Sequence, residues 1–291
     1  MTRLTVLLAL GCLVAHPIQA QSVKVSILDR GQADGIVIRT PNQRWVVIDG
    51  GRNMQQANLM ANTWGVTTVA VAIISHRHFD HNGGMDDILE DFTIQRFIGN
   101  LDECPGVQQD NKIDGILTTR GIPTEAPSGQ TFTIDNVTFT ILPTDPVDNT
   151  CPNDENNNSV MVRIDYGNFS MLFTGDGDEE QRDWLVANHP TLLDVDVLKA
   201  AHHGADNGVS NSWLNAVTPE RVVISAGVHG NHKHPNPNAV AAYIAAVGQS
   251  SRVRCTNRHQ TVTVYGSTDG NVRVVRQNAI NKSCVYDGTH Y

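Results

Sequence analysis

Four potential metal ligands lie within six residues of the sequence: His76, His78, Asp80 and His81. They directly follow an apolar, β-branched run at residues 69–74, which predicts a strand buried on both faces. Residues two apart in an extended chain project to the same side, so His76 and His78 can converge on one cation. A change to helix or turn after His78 would direct Asp80 and His81 toward a second cation. The spacing therefore predicts a metal site at the end of a rigid strand.

Two later segments carry further candidate ligands. Asp176 follows the apolar residues 171–173, where a carboxylate would be costly to bury without a cationic partner. An alternative role for Asp176 is to cap the helix that follows. His202 and His203 come directly after a predicted buried strand at residues 196–201. Only one of these two histidines needs to be a ligand, and the other could orient a ligand or bind substrate.

The segment from His76 to His81, with the pattern His-x-His-x-Asp-His, resembles the signature of the metallo-β-lactamase superfamily. The similarity extends over roughly residues 23–247. Two further motifs resemble one branch of the superfamily, which is typified by the extracellular domain of the ComEC competence protein. These motifs are Lys199-x-x-His202-His203-Gly204 and His234-Pro235. The resemblance implies a set of metal ligands: His76 and His78 at a first ion, Asp80, His81 and His202 at a second, and Asp176 between the two.

The resemblance also implies a cofactor and a mechanism. One or two ions of Zn²⁺ or Mn²⁺ are expected in each chain. A pair of such ions lowers the pKa of a bridging water from about 15.7 toward 7, which yields a metal-bound hydroxide at ordinary pH. Asp80 and Asp176 would hold this nucleophile. His234 would assist departure of the leaving oxygen or bind a phosphate oxygen, so Asp80 and His234 are the expected catalytic residues.

The sequence departs from the usual pattern of the superfamily at one ligand position. Most members carry another histidine between the first motif and the strand-end aspartate, whereas none lies between His81 and Asp176 here. This region instead holds an Asn-rich stretch at residues 153–158, followed by Ser159. The first-metal site would then bind its ion weakly, favour a harder ion such as Mn²⁺, or complete its shell with Asn158 or water.

The N-terminus has the pattern of a secretory signal peptide. A basic residue precedes an apolar run at residues 4–15, and Ala20 provides a small residue for cleavage. The run is shorter than the about 20 residues that cross a bilayer. A buried N-terminal helix and lipoprotein processing at Cys12 are the weaker alternatives. Residues 1–20 are therefore predicted to be a signal peptide, and residues 21–291 a single secreted or periplasmic domain with no membrane attachment after cleavage.

Removal of the signal would leave four cysteines, and an even number in an exported chain suggests two disulfides. Four cysteines allow three pairings. Proximity along the chain favours Cys104 with Cys151 and Cys255 with Cys284. A zinc–thiolate site is less favoured, because no pair has the spacing of two to four residues that is typical of structural zinc.

The order of predicted elements indicates the fold class. Hairpins and βα units occur in both halves, with helices between buried strands, which predicts an α/β protein with a four-layer αββα sandwich. A long surface excursion is expected over residues 100–129, which are rich in Asp, Gly, Pro and Gln. The predicted strands cover residues 23–28, 35–39, 44–48, 69–74, 93–98, 131–134, 137–142, 159–165, 168–174, 195–200, 221–225, 261–265 and 271–275. The predicted helices cover residues 55–64, 85–90, 179–188, 210–216 and 238–247.

Composition limits the classes of function. Of the 291 residues, 40% are hydrophobic and 18% are charged, which excludes a disordered chain, a coiled coil and a collagen-like fibre. The formal net charge of −9 argues against a broad basic face for nucleic acid. A polyanionic substrate stays compatible with this charge, because bound divalent cations can reverse the field within one cleft.

Three functions remain. The leading one is an exported metal-dependent hydrolase, a phosphodiesterase or nuclease, with DNA among its candidate substrates. The second is hydrolysis of a lactone, a β-lactam or another acyl substrate on the same metal centre. The third is a catalytically silent metal-binding protein. Retention of both Asp80 and Asp176 argues against the third, because a structural zinc site has a closed ligand shell.

Overall fold

The computed structural model describes residues 21–100, 108–144, 156–227, 232–278 and residue 284. Its strands are β1 (Ser22–Ile27), β2 (Gly35–Arg39), β3 (Trp45–Gly50), β4 (Thr68–Val69), β5 (Val71–Ile73), β6 (Thr93–Ile94), β7 (Phe97–Ile98), β8 (Thr124–Glu125), β9 (Thr131–Ile134), β10 (Val137–Ile141), β11 (Val162–Tyr166), β12 (Phe169–Phe173), β13 (Val197–Lys199), β14 (Arg221–Ile224), β15 (Val253–Cys255), β16 (Val262–Ser267) and β17 (Val272–Arg276). Its α-helices are α1 (Gln55–Trp64), α2 (Phe79–Asn82), α3 (Met85–Asp91), α4 (Gln108–Arg120), α5 (Glu179–Asn188), α6 (Asn211–Val217), α7 (Pro237–Val247) and α8 (Thr256–His259). Short 3₁₀ helices lie at Pro190–Leu192, Ala201–Gly204, Asp206–Gly208 and Ser250–Arg252.

Two large mixed sheets contain most of the strands. One has eight strands in the order β17-β16-β1-β2-β3-β5-β7-β8, and the other has seven in the order β15-β14-β13-β12-β11-β10-β9. Each sheet combines an antiparallel part with a parallel part, which begins at β3 in the first sheet and at β12 in the second. Strands β4 and β6 form a small parallel pair of their own.

Three apolar layers hold these elements together. Between the sheets, side chains from both inner faces form a single core that includes Val25 of β1 and Phe169 of β12. Helices α1, α3 and α4 cover the outer face of the eight-stranded sheet, and helices α5, α6 and α7 cover the seven-stranded sheet. Trp213 of α6 and Tyr243 of α7 are completely buried in that second outer layer. The predicted four-layer αββα sandwich is therefore confirmed.

Parallel strands of both sheets end at the same side of the sandwich. The His76–His81 segment follows β5 of one sheet, and Asp176 and His202 follow β12 and β13 of the other. Hydrogen bonds join the loops at these ends: Val160 N donates to the Ser75 carbonyl at 2.7 Å, and His202 N donates to the Gly175 carbonyl at 3.2 Å. The topology thus brings the candidate ligands into one place, since chemistry at the carboxyl ends of parallel strands is a general property of such sheets.

The structure corrects the expectation of a surface excursion over residues 100–129. Of this stretch, residues 108–120 form helix α4 and residues 124–125 form strand β8, which pairs with β7. Ile113 and Leu117 lie one helical turn apart and are buried against the eight-stranded sheet. This helix was not predicted because its apolar residues form only a narrow stripe among polar residues.

Two predicted strands are each divided in the structure. Residues 69–74 split into β4 and β5, and residues 93–98 split into β6 and β7, because the chain passes from the small β4–β6 pair into the large sheet. Strand β15 and helix α8 were not predicted, and both are short. These differences leave the order of the layers unchanged.

Cys255 and Cys284 form a disulfide, as predicted, with their Cα atoms 5.7 Å apart. The predicted pairing of Cys104 with Cys151 lies outside the described residues, as do the signal peptide at residues 1–20 and its cleavage point. None of the described helices combines the length and the apolar character that a membrane crossing would require.

Gly266 of β16 lies where the two sheets pack closely against each other. A Cβ atom on Gly266 would lie 2.2 Å from the Cδ1 atom of Phe169, whose ring is completely buried between the sheets. We expect Gly266→Ala to lower the free energy of unfolding by about 1–3 kcal/mol, because overpacked cores lose this much. Urea denaturation of the full chain measures the change.

Gly115→Ala in α4 is the matched control, because no atom lies within 4 Å of the added Cβ. In an exposed helix this change leaves stability equal or raises it by up to about 1 kcal/mol. Equal stability of Gly266→Ala and the wild type would show that the sheets can separate at this point without loss.

Candidate metal centre

The segment after β5 turns into a short helix, as the sequence predicted. Helix α2 begins after His78, whose backbone is extended, so Asp80 and His81 project from a helical turn. Gly84 permits close packing below this turn, because a Cβ there would lie 2.4 Å from the Asn53 carbonyl oxygen. His81 is completely buried, and Asp80 has a side-chain exposure of 20%. The turn therefore places one ligand candidate deep in the molecule and one at its rim.

Asp49, at the end of β3, holds this segment in place. Its Oδ1 accepts from the Ser75 backbone N–H at 2.7 Å, and its Oδ2 accepts from the Ser75 hydroxyl at 2.7 Å. The same Oδ2 accepts from His81 Nδ1 at 2.8 Å. The bond to His81 also fixes the tautomer of the neutral imidazole, because an ionised carboxylate accepts only, so Nδ1 carries the proton and Nε2 is left for a cation or a second proton.

Asp176 lies between two buried histidines. His81 Nε2 is 3.2 Å from Asp176 Oδ1, and His203 Nε2 is 3.4 Å from Asp176 Oδ2. His203 Nε2 is also 3.6 Å from Asp80 Oδ2. One carboxylate thus connects the segment after β5 with the segment after β13, and the alternative role of Asp176 as a helix cap has no support, since Asp178 occupies the N-cap of α5.

The adjacent histidines of the second motif occupy different environments. Both have left-handed backbone conformations, with φ of 48° at His202 and 52° at His203, so their side chains diverge. His203 is buried and donates from Nδ1 to the Ser225 carbonyl at 3.0 Å. His202 is 23% exposed, pairs with Asp178 at 3.2 Å and lies 4.0 Å from Asp176. The structure therefore brings His203 into the buried cluster and places His202 at its edge.

Three buried atoms in this cluster form no hydrogen bond within the described part of the chain: His81 Nε2, His203 Nε2 and Asp176 Oδ1. In both histidines Nδ1 donates to an oxygen, so in the neutral imidazole each Nε2 would direct a lone pair toward the Asp176 carboxylate. Lone pairs and a carboxylate repel one another unless positive charge lies between them. Imidazole nitrogens and carboxylate oxygens are the ligands that Zn²⁺ and Mn²⁺ accept, so these residues fit a divalent cation.

The two remaining histidines of the first motif lie on the other side of the cluster. His76 is buried, its ring is 4.1 Å from the His81 ring, and ligand atoms of His76, His81 and Asp176 lie within 4.8 Å of one another. His76 Nε2 is 3.0 Å from Nδ1 of His78, which is exposed. Ser159 lies in the region that replaces the usual histidine, and its hydroxyl accepts from the Asp176 backbone N–H at 3.1 Å.

The electrostatics of the cluster follow from burial and opposite charge. Burial alone would raise the pKa of Asp176, but His203 and His81 outweigh it and hold this pKa well below its ordinary value. Burial opposes charge on His81, yet Asp176 and Asp49 raise the pKa of His81 well above its ordinary value. Burial and the nearby His81 lower the pKa of His76. The centre of the site is thus negative and attracts a cation.

A buried ion pair that the sequence analysis did not assign lies behind the histidines. Lys199 and Asp34 are both completely buried, and the Lys199 ammonium contacts Asp34 Oδ2. Asp34 Oδ1 accepts from the Ser225 hydroxyl and lies 3.5 Å from His203 Nδ1. Its Oδ2 lies 3.9 Å from His81 Nδ1. Asp34 and Lys199 belong to motifs of the resemblance, but only the tertiary structure shows that they meet.

His234 lies at the mouth of the site. Its ring centroid is 5.8 Å from that of His202, and its Nδ1 is buried without a hydrogen bond to the described residues. Burial and the positive charge of His203 and His202 lower the pKa of His234 to about 4. The imidazole is therefore neutral at ordinary pH and offers one N–H donor, which suits a hydrogen bond to a substrate oxygen better than delivery of a proton.

Residues 28–229 match the sequence profile of the Metallo-beta-lactamase superfamily. The chain belongs to this superfamily. Its sequence is 23% identical to ComE operon protein 3 of Bacillus subtilis (strain 168), a match that covers 88% of this chain and 36% of that protein. It is 26% identical to Competence protein ComA of Neisseria gonorrhoeae, over 79% of this chain and 31% of that protein. The chain spans about a third of the length of these relatives.

Solved structures share the fold. The metallo-beta-lactamase fold protein YhfI from Bacillus subtilis aligns with a TM-score of 0.54 at 14% identity, over 87% of this chain and 100% of that one. CmlA, a diiron beta-hydroxylase from Streptomyces venezuelae, aligns with a TM-score of 0.54 at 13% identity, over 90% and 55% of the two chains. The superfamily predicted from the first motif is confirmed, and the described His/Asp cluster is able to bind a metal ion.

Removal of metal provides a test of the cluster. A divalent cation that binds only the folded protein at a hundred times its dissociation constant adds about 2.7 kcal/mol to stability. We expect a chelator to lower the melting temperature of the wild type and Zn²⁺ or Mn²⁺ to restore it. In Asp176→Asn the melting temperature no longer responds to either, because the charge between His81 and His203 is gone.

Asp178→Asn is the matched control, with the same chemical change two residues along the chain and outside the buried cluster. It retains the response to chelator and metal. A response that survives in Asp176→Asn but disappears in Asp178→Asn would place the cation elsewhere.

Proposed function

We propose that this chain is an exported metal-dependent phosphodiesterase. The observation that carries the proposal is the pair of imidazoles at the exposed side of the Asp176 cluster, His202 and His234, which can donate hydrogen bonds to a substrate. A phosphodiester presents two non-bridging oxygens and a leaving oxygen, and each needs a donor or a cation. The similarity to the two competence proteins agrees with a phosphodiester of DNA as substrate.

The proposed ligands fall into two groups that share Asp176. Asp80, His81 and His203 hold one ion with Asp176, since the ligand atoms of Asp80, His81 and His203 lie within 4.8 Å of one another. The resemblance assigned His202 to this group, but the deeper burial of His203 and its shorter distance to Asp176 support His203. His76 and His78 hold the other ion together with Asp176, as the resemblance implied.

When bound, a divalent ion neutralises charge on the phosphate and lowers the pKa of a water molecule. The residues of the chain position the reactants. Asp80, at the rim, accepts a hydrogen bond from the attacking water. Burial alone would raise the pKa of this carboxyl, but His203 and His81 hold it well below its ordinary value, and Arg52, 3.4 Å from Asp80, orients it. His202, oriented by Asp178, and the neutral His234 donate hydrogen bonds to the phosphate oxygens. His234 thereby stabilises charge on the leaving oxygen.

Export follows from the N-terminal pattern of residues 1–20, with residues 21–291 as one secreted or periplasmic domain. The bonded pair Cys255 and Cys284 agrees with an oxidising compartment. The alternative is an acyl hydrolase that uses the same metal centre. The substrate assays described below distinguish it from a phosphodiesterase.

The adjacent histidines provide the sharpest test, because they are matched in type and differ by one position. In His203→Ala we expect loss of bound metal, measured by elemental analysis, and a fall of roughly 100-fold or more in turnover of bis-p-nitrophenyl phosphate with Mn²⁺ or Zn²⁺. In His202→Ala we expect metal content to stay unchanged and KM to rise. The reverse pattern would assign the ligand role to His202.

The class of substrate is tested on the wild type. Turnover of bis-p-nitrophenyl phosphate and cleavage of plasmid DNA should depend on added metal and stop with chelator. Metal-dependent hydrolysis of nitrocefin with no turnover of either phosphodiester would replace this proposal by an acyl hydrolase. No turnover of any of these substrates by metal-loaded protein would support the catalytically silent alternative.

A further inference from the structure

A cleft on the open side of the sandwich is lined by arginines. Strand β15 is the last strand of the seven-stranded sheet and β17 is the last strand of the eight-stranded sheet. Residues of both edges line one cleft of about 310 Å³. The basic residues of this cleft, called the arginine cleft below, are Arg221, Arg252, Arg254, Arg273 and Arg276. No acidic side chain is among its described lining residues.

The alternation of side chains explains this accumulation of charge. On β15, Val253 and Cys255 pack into the layer beneath the helices, so Arg254 between them points to the opposite side, toward the other sheet. On β17, Val272 and Val274 pack against the core between the sheets, so Arg276 shares their side of the strand, whereas Arg273 points to the outer face and its guanidinium lies over the Tyr265 ring. Arg254 and Arg276 thus close the open edge of that core, where an apolar side chain would be exposed to water and a guanidinium can reach solvent.

Carboxylates do not neutralise most of this charge. Within the described residues, Arg221, Arg252, Arg254 and Arg273 have no ion pair with any acidic side chain. Arg254 donates instead to the Val253 carbonyl at 3.0 Å. Burial and the charges of Arg276 and Arg221 lower the pKa of Arg254. In a chain with a formal net charge of −9, five of the 21 basic residues therefore form a local positive field.

The arginine cleft is separate from the metal centre. Strand β14 connects the two: Arg221 at its start lines the cleft, and Ser225, just past its end, binds His203 through its carbonyl. Four residues of strand separate these positions by about 13 Å. The cleft is therefore not part of the proposed active site, although one extended ligand can reach both.

We propose that the arginine cleft binds the phosphate backbone of a nucleic-acid strand. The planar guanidinium matches a phosphate with two parallel hydrogen bonds. Among the described residues that line the cleft none is aromatic, so the bases have no stacking surface and recognition is independent of sequence. The choice of nucleic acid over an acidic polypeptide rests on the proposed phosphodiesterase function.

The test uses the full chain and a labelled oligothymidylate with a phosphorothioate backbone, which keeps the charges and resists hydrolysis. We expect the double substitution Arg252→Gln and Arg254→Gln to weaken binding roughly tenfold at about 0.15 M salt, because each lost phosphate contact removes about 0.7 from the slope of log K against log salt. The slope should therefore fall by about 1.4. Replacement of the same two residues by lysine should keep most of the slope.

The matched control is Arg39→Gln with Arg44→Gln on the hairpin of β2 and β3. It removes the same charge from two residues that lie outside the arginine cleft. Equal loss of affinity in both double variants would overturn the proposal, because it would show that only total charge matters. Circular dichroism of each variant distinguishes lost binding from lost folding.

Two further measurements separate this inference from the proposed function. Polyglutamate that binds as tightly as the oligonucleotide, with the same dependence on Arg252 and Arg254, would overturn the nucleic-acid proposal in favour of an acidic polypeptide. Turnover of bis-p-nitrophenyl phosphate should be unchanged by the cleft substitutions. If the protein binds the oligonucleotide through the arginines but turns over no substrate, only the proposed phosphodiesterase function is overturned. If the protein turns over substrate but binds the oligonucleotide independently of the arginines, only the proposed role of the arginine cleft is overturned.

Discussion

The Asp176 carboxylate is buried between two imidazole nitrogens, and this contact constrains everything around it. A charge removed from water needs a partner, since an isolated buried ion costs several kcal/mol. His81 and His203 each donate their Nδ1 proton to another oxygen, so neither can donate to Asp176 without taking up a second proton. The raised pKa of His81 means that His81 takes up this second proton when no metal is bound, and a divalent cation between the side chains would supply the positive charge in its place.

The rest of the fold maintains this arrangement. Asp49 ties the end of β5 to His81, and Asp34, neutralised by Lys199, lies beside both buried histidines. Oxygens behind the imidazoles fix which nitrogen faces the cluster and raise the basicity of that nitrogen. Because these supports come from strands of both sheets, the site depends on the sheets being in their correct positions. Stability of the sandwich and competence of the site are therefore linked.

Charge is distributed very unevenly over the molecule. The net value of −9 describes an acidic protein, yet the metal centre attracts cations and the arginine cleft attracts anions. Association with a polyanion depends on the local field rather than on the total charge. The argument from composition against a broad basic face still holds, because the arginines occupy one edge of the sandwich.

The sequence by itself determined the superfamily, the order of the four layers and the two segments that carry the ligand candidates. These features are local: a metal-binding spacing within six residues, apolar runs with strand periodicity, and an aspartate directly after an apolar strand. Helix α4 was not predicted because its apolar stripe is narrow. Strands β4 and β5 were predicted as one strand because the local sequence does not specify which strands pair. Only the tertiary structure decided which of His202 and His203 faces Asp176, since the left-handed backbone at both sends their side chains apart. It also decided that Lys199 meets Asp34, and that arginines from β14, β15 and β17 share one cleft, because these contacts join residues far apart in the chain.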